Sequence, residues 1–524
     1  MKPTGPVSRQ VQRLSRRDVL WSGGTGLLSA GLVGATIRQS SGEAAIGMQG
    51  HAGAGSRGVP RAAYDNNAPL VEPEVRRSLN GELRTTLQVR YTYKDIGGYR
   101  LSLRSYEGTI PGPTLRVRPG DVLRIRLVND LPPNPDPMPA DMALPHHFNT
   151  TNFHFHGSHV SPAGIADNIF RSMEPGQSYE IEIVIPADHP RGTYWYHPHH
   201  HGSADVQMTS GMAGALIIEG DFDDIPEIAW ATEHVLLLNE VLFDYRGTIE
   251  TYDTVWPEAA PRFLSVNGQR DPIIRMRPGE VQRWRIIHAG HEDNLHVALD
   301  KHALHAIAFD GVRKPDIDRA ESLLMAPGQR ADVLVQAGAA GSYALRAIEN
   351  NQGYASPVGA LARLVVEGEP LPMRLPAALG GAPFAAIRDV EITNRRRLTL
   401  SVEQPESPAS ANYQEFTYLI CGRRFDPDRV DQRIPLGAIE EWTVVNEHDN
   451  DHIFHIHTNP FQMVAVNGEK LARQDWRDTV VVPRNGSVTF RSRFLDFTGR
   501  FVLHCHMMNH EELGMMQVVE VVAS

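Results

Sequence analysis

The segment PTLRVRPGDVLRIRLVN, Pro113 to Asn129, belongs to a phrase that occurs three times in this chain of 524 residues. It recurs as PIIRMRPGEVQRWRIIH from Pro272 to His288 and, more weakly, as QRIPLGAIEEWTVVN from Gln432 to Asn446. Apolar residues nearly alternate with polar ones on both sides of a glycine turn, which is the pattern of half-buried strands. The three turn glycines are 159 and 158 residues apart, so the chain repeats one unit of about that size.

A second phrase follows the first in each unit. PGQSYEIEIVI begins at Pro175, PGQRADVLVQA at Pro327 and RNGSVTFRSRF at Arg484, and each leads into another apolar strand. The period of two and the Pro-Gly turns predict an all-β chain of three tandem β-sandwiches. We expect these domains at residues 60–221, 222–370 and 385–524.

Length and composition agree with three folded domains. At roughly 100 to 200 residues per domain, 524 residues make about three. Hydrophobic residues at 41% and charged residues at 22% are typical of a folded globular protein rather than a disordered one. The net charge of -11 argues against nucleic acid as a partner, because phosphate binding requires a basic surface.

The first 45 residues carry an export signature. Arg16 and Arg17 precede a short, glycine-interrupted apolar run, Trp21 to Ala35, which resembles a twin-arginine signal peptide. The alternative is an N-terminal membrane anchor, but the run falls short of the roughly 20 apolar residues that spanning requires. We therefore expect recognition by the twin-arginine export machinery, a periplasmic or otherwise exported protein, and no stable membrane insertion.

Histidines occur in pairs at strand spacing. Side chains two residues apart on a strand point to the same face, so each pair can present both imidazole rings on one side. Four such pairs are His154/His156, His197/His199, His455/His457 and His504/His506. The same parity directs Cys505 and His452 to the opposite face, where His510 and Met515 can reach them. The sequence thus predicts two sites, back to back, joined through one cysteine.

The donor types of the two sites favour copper. Two imidazoles, one thiolate and a distant thioether are the set that holds a blue electron-transfer copper, and eight imidazoles suit a copper cluster with open positions. Zinc is the competing metal, but a structural zinc takes four closed ligands and has no need of a cysteine between two histidines of another site.

The motifs HFHG, WYHPH, HIFHIH and HCHMMNHEELGMM resemble the four copper-binding motifs of the multicopper oxidases, the laccase and cuprous-oxidase family. The resemblance covers about residues 60 to 524 and implies three cupredoxin-like Greek-key domains and four copper ions. It implies type 1 copper at His452, Cys505, His510 and axial Met515, and type 2 copper at His154 and His455. The two type 3 ions would take one set each, namely His156, His197 and His506, and His199, His457 and His504. The second domain, whose His291 and His296 lack the paired spacing, would be a spacer.

Further roles attach to individual residues. By the same resemblance, Asp167 and Glu511 would relay protons to reduced oxygen as general acids, and Cys505 would conduct electrons between the two sites. His510, beside Glu511 and Glu512, is expected to present an exposed ring edge that accepts the electron. Axial Met515 predicts a lower type 1 potential than leucine would give, because the axial ligand tunes that potential.

The resemblance implies an enzyme that oxidises phenols or aromatic amines one electron at a time and reduces dioxygen to water. A cuprous oxidase that acts on Cu(I) is the close alternative. Such proteins often carry a Met-rich insert, and the comparable stretch Asn350 to Arg397 holds only Met373, which favours the laccase-like interpretation. A metal-free structural or cell-division protein on the same scaffold is the alternative of another class.

Overall fold

The computed structural model describes residues 62–256, 262–381, 384–406 and 412–523. The expected signal peptide, residues 1–45, lies outside the described residues. All described residues belong to one unit, Ala52–Ser524, and are folded into six β-sheets. The predicted fold class is confirmed, because the sheets form three pairs that follow one another along the chain.

The first pair of sheets contains nine strands. A five-stranded sheet has the order β1-β4-β9-β8-β6 and a four-stranded sheet the order β3-β2-β5-β7. The strands are β1 (Val75–Arg77), β2 (Glu82–Ile96), β3 (Tyr99–Tyr106), β4 (Thr114–Val117), β5 (Val122–Asn129), β6 (His154–His156), β7 (Ser178–Val184), β8 (Gly192–His197) and β9 (Gly214–Ile218). A short helix, α1 (Ala204–Thr209), connects β8 to β9.

The second pair of sheets contains β10 to β20. A six-stranded sheet has the order β11-β10-β13-β18-β15-β16, and a five-stranded sheet the order β12-β20-β19-β14-β17. The strands are β10 (Thr232–Leu242), β11 (Arg262–Val266), β12 (Ile273–Met276), β13 (Val281–His288), β14 (Leu295–Leu299), β15 (Leu304–Phe309), β16 (Val312–Ala320), β17 (Ser322–Met325), β18 (Arg330–Gln336), β19 (Gly341–Ile348) and β20 (Gly359–Val366). Helix α2 (Pro226–Ala229) precedes them.

The third pair of sheets has the same order as the second. Its six-stranded sheet is β22-β21-β24-β29-β26-β27 and its five-stranded sheet is β23-β31-β30-β25-β28. The strands are β21 (Asn394–Glu403), β22 (Thr417–Ile420), β23 (Val430–Pro435), β24 (Ala438–Asn446), β25 (His452–Ile456), β26 (Phe461–Val466), β27 (Glu469–Arg477), β28 (Thr479–Val482), β29 (Ser487–Phe494), β30 (Gly499–Cys505) and β31 (Met516–Val522). Helix α3 (Met508–Glu512) lies between β30 and β31.

The repeated phrase explains why the three pairs match. Each copy supplies one strand to one sheet and the next strand to the facing sheet, as β4 then β5, β12 then β13, and β23 then β24. The crossing point is the turn glycine, and Gly120, Gly279 and Gly437 all have a positive φ of 80° to 93° that favours glycine. The second strand of each phrase then pairs antiparallel with the second repeated phrase, which forms β7, β18 and β29.

Each sandwich buries its own core between its two sheets. Equivalent positions of the repeated phrase are filled by Ile125, Trp284 and Trp442, all fully buried. Buried and partly exposed residues alternate along β5 and β24, as the sequence predicted, whereas every residue of β13 is buried. Among the described residues, no helix is long and apolar enough to cross a membrane.

Candidate metal centres

Two strand pairs bring the paired histidines together. In the first domain β6 runs antiparallel to β8, with His154 opposite His197. In the third domain β25 runs antiparallel to β30, with His455 opposite His504. The two strand pairs meet, so that the ring of His154 stacks on His457 at 3.8 Å and the ring of His156 on His455 at 3.9 Å. All eight predicted imidazoles are buried at this contact.

The eight rings form three groups whose nitrogens can share a metal ion. The groups are His154, His156 and His455; His156, His197 and His506; and His199, His457 and His504. In the last group the Nε2 atom of His199 lies 3.1 Å from that of His457 and 3.2 Å from that of His504. Nitrogens bound to one metal at about 2.0 Å are roughly 3.3 Å apart, so this spacing fits an ion between the rings.

In several rings a backbone carbonyl fixes Nδ1, the nitrogen on the side away from the shared space. The Nδ1 atoms of His197, His455 and His504 lie 2.9, 2.8 and 3.0 Å from the carbonyl oxygens of Pro198, Asp478 and Cys505. Such bonds hold each ring in one orientation with Nε2 directed at the shared space. The Nε2 atoms of His154, His197 and His455 are buried there without a hydrogen-bond partner, as expected of nitrogens that bind a metal.

Burial favours the neutral form of most of these imidazoles. It lowers the pKa of His197 to about 3 and that of His199 to about 4, and neighbouring histidines add to the effect at His197. A neutral ring has a free lone pair at neutral pH, and that lone pair is what binds a metal ion.

Cys505 lies between this cluster and a second group of donors. Its Sγ atom is 3.5 Å from the Nδ1 atoms of both His452 and His510, and those two nitrogens are 3.0 Å apart. Burial raises the pKa of the Cys505 thiol to about 12, so a cation is needed to stabilise the thiolate. Two imidazoles and one thiolate in a triangle fit the trigonal set that holds a blue copper.

Met515 is fixed beside the same triangle. It is fully buried. The Cys505 N–H donates to its carbonyl oxygen at 3.0 Å, and its own N–H donates to the carbonyl oxygen of His510 at 2.9 Å. The backbone thus ties Met515 to two of the predicted ligands, which suits the expected axial position.

The expectation of an exposed His510 ring is wrong. Only 4% of His510 is exposed, and the ring of Tyr418 stacks on it at a centroid distance of 4.2 Å. The Tyr418 N–H donates to the carbonyl oxygen of Leu513 at 3.3 Å, which joins β22 to the end of α3 and holds the tyrosine over the histidine. Only a small part of the His510 residue is therefore open to solvent.

The two predicted proton-relay acids both contact ligand rings from behind. Asp167 accepts a hydrogen bond from His154 Nδ1 at 3.0 Å, and burial raises the pKa of Asp167 to about 8. Glu511 Oε2 lies 2.9 Å from His504 Nδ1 and Oε1 lies 3.3 Å from His199 Nδ1. Burial alone would raise the pKa of Glu511, but its contacts with the rings of His199 and His504 outweigh burial and lower the pKa to about 2. Both carboxylates orient rings on the edge opposite the shared space.

Three residues that position the cluster could not be identified from the sequence alone. The Thr479 hydroxyl lies 3.1 Å from both His156 Nε2 and His455 Nδ1. Asp478 supplies the carbonyl that holds His455, and its carboxylate forms a bidentate ion pair with buried Arg330 at 2.8 and 2.5 Å. Arg330 follows the repeated PGQ phrase of the second domain, 148 residues before Asp478, and no sequence spacing connects the two.

The second domain is more than the spacer that was expected. His291 and His296 do belong to none of the metal groups among the described residues. His291 is instead held by the buried carboxylates of Asp205 and Glu240, at 3.2 and 3.4 Å. But this domain supplies Arg330, and Gly328 packs directly against the cluster. A Cβ atom at Gly328 would lie 3.0 Å from ring atoms of His156 and His506, and the φ of Gly328 is +88°.

Three family models, each described as multicopper oxidase, match residues 145–222, 237–368 and 397–524, which is more than half of the chain. The chain belongs to the multicopper oxidases. It is therefore an oxidoreductase with copper cofactors, dioxygen as acceptor and a reducing substrate as donor, and the four-copper complement is typical of the family.

Individual relatives of this multicopper oxidase are distant. A laccase of Bacillus stratosphericus is 25% identical over 80% of this chain and 91% of its own length. The cell division protein FtsP of Edwardsiella tarda is 26% identical over 81% of this chain and 87% of its own. The structure described as a multicopper oxidase from Campylobacter jejuni, a metallo-oxidase, aligns with a TM-score of 0.74 at 23% identity and covers 90% of this chain and 99% of that one. The last similarity establishes the shared fold alone.

Proposed function

We propose that this multicopper oxidase is a laccase-like enzyme that oxidises phenols or aromatic amines and reduces dioxygen to water. The observation that carries the proposal is the position of Cys505. Its sulfur belongs to the His452–His510 triangle, while its chain neighbours His504 and His506 belong to two groups of the histidine cluster. When bound, copper ions supply one-electron redox chemistry at the triangle and four-electron reduction of dioxygen at the cluster.

We assign the ligands as the resemblance implied. His452, Cys505, His510 and axial Met515 would hold the type 1 ion, and His154 and His455 the type 2 ion. The type 3 ions would be held by His156, His197 and His506, and by His199, His457 and His504. The geometry supports this assignment, because the ligand nitrogens of each type 3 set lie within 4.8 Å of one another.

The surrounding residues orient the ligands and supply protons. Asp167 fixes His154 so that its Nε2 atom faces the cluster, and Asp478 does the same for His455. Glu511 lies between His199 and His504, where it can pass a proton toward the cluster. In Glu511→Gln, the rate of oxygen reduction should fall while the blue absorption of the type 1 site persists. An unchanged rate would remove Glu511 from the relay.

A cuprous oxidase is the second candidate, and one cavity favours it. A cavity of about 890 Å³ reaches the cluster residue His199 and is bordered by thioethers and imidazoles, namely Met138, Met142, His146, His147, His200 and His201. Met138 and Met142 are 52% and 48% exposed. Thioether and imidazole donors bind Cu(I) well, so this surface could accept cuprous ions.

The decisive experiment compares donors on the copper-loaded mature protein. Oxygen consumption is measured with a simple phenol and with Cu(I), and copper content is measured on the same sample. The laccase-like proposal expects the higher kcat/KM with the phenol. A much higher value with Cu(I) would make it a cuprous oxidase. A protein that takes up no copper would fit the alternative of a metal-free structural or cell-division protein. The similarity to a cell division protein is a reason to test this alternative, and the intact ligand groups argue against it.

We also propose that the protein is exported through the twin-arginine route, on the strength of Arg16 and Arg17 before the short apolar run. Replacing both by lysine should retain the protein in the cytoplasm of a bacterial host that has this route. Export of the double variant at the normal level would refute the proposal.

A further inference from the structure

The predicted type 1 site is almost closed to solvent. His452, Cys505, His510 and Met515 are each no more than 4% exposed. Besides His452 of the same triangle, the ring of Tyr418 contacts His510. It stacks on His510 with an interplanar angle of 22° and is itself only 5% exposed. A donor in solution can therefore contact only a small part of His510 or of Tyr418.

Further aromatic rings continue outward from Tyr418. Phe416 lies 6.4 Å from Tyr418 between centroids, and Trp256 lies 5.0 Å from Phe416. Tyr413 lies 6.2 Å from Trp256. Trp256 and Tyr413 are half-buried, so both reach the protein surface. Successive centroids within about 7 Å are in the range of packed aromatic pairs, so the rings form a continuous series from the surface to His510.

The series joins two domains. Trp256 follows β10 of the second domain, whereas Tyr413, Phe416 and Tyr418 precede or belong to β22 of the third. Trp256 and Tyr413 also pack against the hydrophobic core that contains Cys505 and Met515. The surface end of the series is thus attached to the core around the type 1 site.

We propose that Trp256 and Tyr413 form an electron-uptake site for aromatic donors, and that Tyr418 carries the electron from this site to His510. The proposal rests on the proposed oxidation of phenols or aromatic amines. A phenol stacked on Trp256 loses one electron and its hydroxyl proton. The triangle of His452, Cys505 and His510 would hold the copper(II) ion that takes up this electron and becomes copper(I). The proton passes to water, and the intervening rings return to their starting state.

The side chains suit this role. Indole and phenol are the most readily oxidised aromatic side chains, so Trp256 and Tyr418 can each become a transient radical as the electron passes. Phe416 is harder to oxidise and serves as the bridge between them. A flat indole at the surface also offers a stacking face to a ring-shaped donor.

The described residues also offer a second route to the triangle, through His448. His448 is half-buried, and its ring lies 5.3 Å from that of His452 at an angle of 38°. Electron transfer through His448 would bypass Tyr418 entirely, so the two routes predict different variants to be slow.

The test uses Tyr418→Phe in the copper-loaded protein, which keeps the stacked ring and removes the oxidisable hydroxyl. Loss of the blue absorption is followed without oxygen after mixing with a phenol. We expect reduction at least tenfold slower, with the type 1 potential and resting blue spectrum unchanged. Tyr343→Phe is the matched control, because Tyr343 also packs on a histidine, His302 at 4.5 Å, but is half-buried against the core of the second domain.

A second readout needs no turnover. In copper-free protein, a surface photo-oxidant should generate a tyrosyl radical whose yield falls in Tyr418→Phe and not in Tyr343→Phe. Quenching of tryptophan fluorescence by phenol should weaken in Trp256→Phe and remain in Tyr418→Phe.

The outcomes separate this inference from the proposed function. If phenol reduces Tyr418→Phe at the normal rate, or if His448→Gln is the slow variant, the aromatic route is wrong although phenol oxidation stands. If phenol fails to reduce even the unaltered protein while Cu(I) succeeds, the proposed function fails first.

Discussion

Removal of the Arg330 guanidinium should show how much the histidine cluster depends on the second domain. The guanidinium is fully buried and donates two hydrogen bonds to the carboxylate of Asp478. It also donates to the carbonyl oxygens of Gly328 and Thr193, at 3.0 and 3.2 Å. Arg330→Met keeps much of the volume and leaves the Asp478 charge buried without its partner.

The expected magnitude follows from that burial. Breaking a buried ion pair by removing one partner costs about 3–5 kcal/mol. For a domain of 150 to 250 residues, each kcal/mol shifts the unfolding midpoint by about 2–4 °C, so the midpoint should fall by roughly 10 °C. Because Asp478 holds His455 through its carbonyl, we expect the type 2 copper to be lost first.

The assay is calorimetry of the copper-free protein, followed by copper analysis and paramagnetic resonance of the reloaded protein. Arg473→Met is the matched control, since Arg473 pairs with Asp318 at 3.3 Å on the surface and is 68% exposed. Such a pair is worth about 0.2–1 kcal/mol. In the double variant Arg330→Met/Asp478→Asn, the loss in the free energy of unfolding should be smaller than the sum of the losses in the two single variants. Equal midpoints for the Arg330 and Arg473 variants, with the type 2 signal intact, would refute the reasoning.

Three further perturbations are informative. Gly328→Ala should lower copper occupancy severalfold, because the new Cβ would crowd the rings of His156 and His506 in a strained backbone; full occupancy by metal analysis would contradict this. Buried carboxylates raise the pKa of His291 to about 9, although burial opposes this shift. The protonated ring therefore stabilises the folded protein by about 3 kcal/mol. This contribution is complete below pH 6.5 and is lost as the pH rises through 9. His291→Gln should therefore unfold earlier than the unaltered protein at pH 6 and nearly together with it at pH 10, and a gap independent of pH would be inconsistent. Met515→Leu should raise the type 1 potential, because it removes the axial thioether, and a redox titration with no shift would exclude Met515 as the axial ligand.

The sequence alone was sufficient to predict the features that depend on the alternation of side chains along a strand. Alternation along a strand is fixed by the backbone, so the repeated phrase predicted three sandwiches, and the structure confirms them. The same alternation predicted that His504 and His506 face one way and Cys505 the other, and the structure brings these side chains into separate groups.

Features that depend on contacts between distant segments required the tertiary structure. The exposure of His510 could not be known, because its cover, Tyr418, is 92 residues away in the chain. The contact of Arg330 with Asp478 and that of Trp256 with Phe416 each join different domains. Strand parity decides which way a side chain points, but only the packing of whole sandwiches decides what it meets there, since burial and ion pairing depend on surfaces that no local pattern encodes.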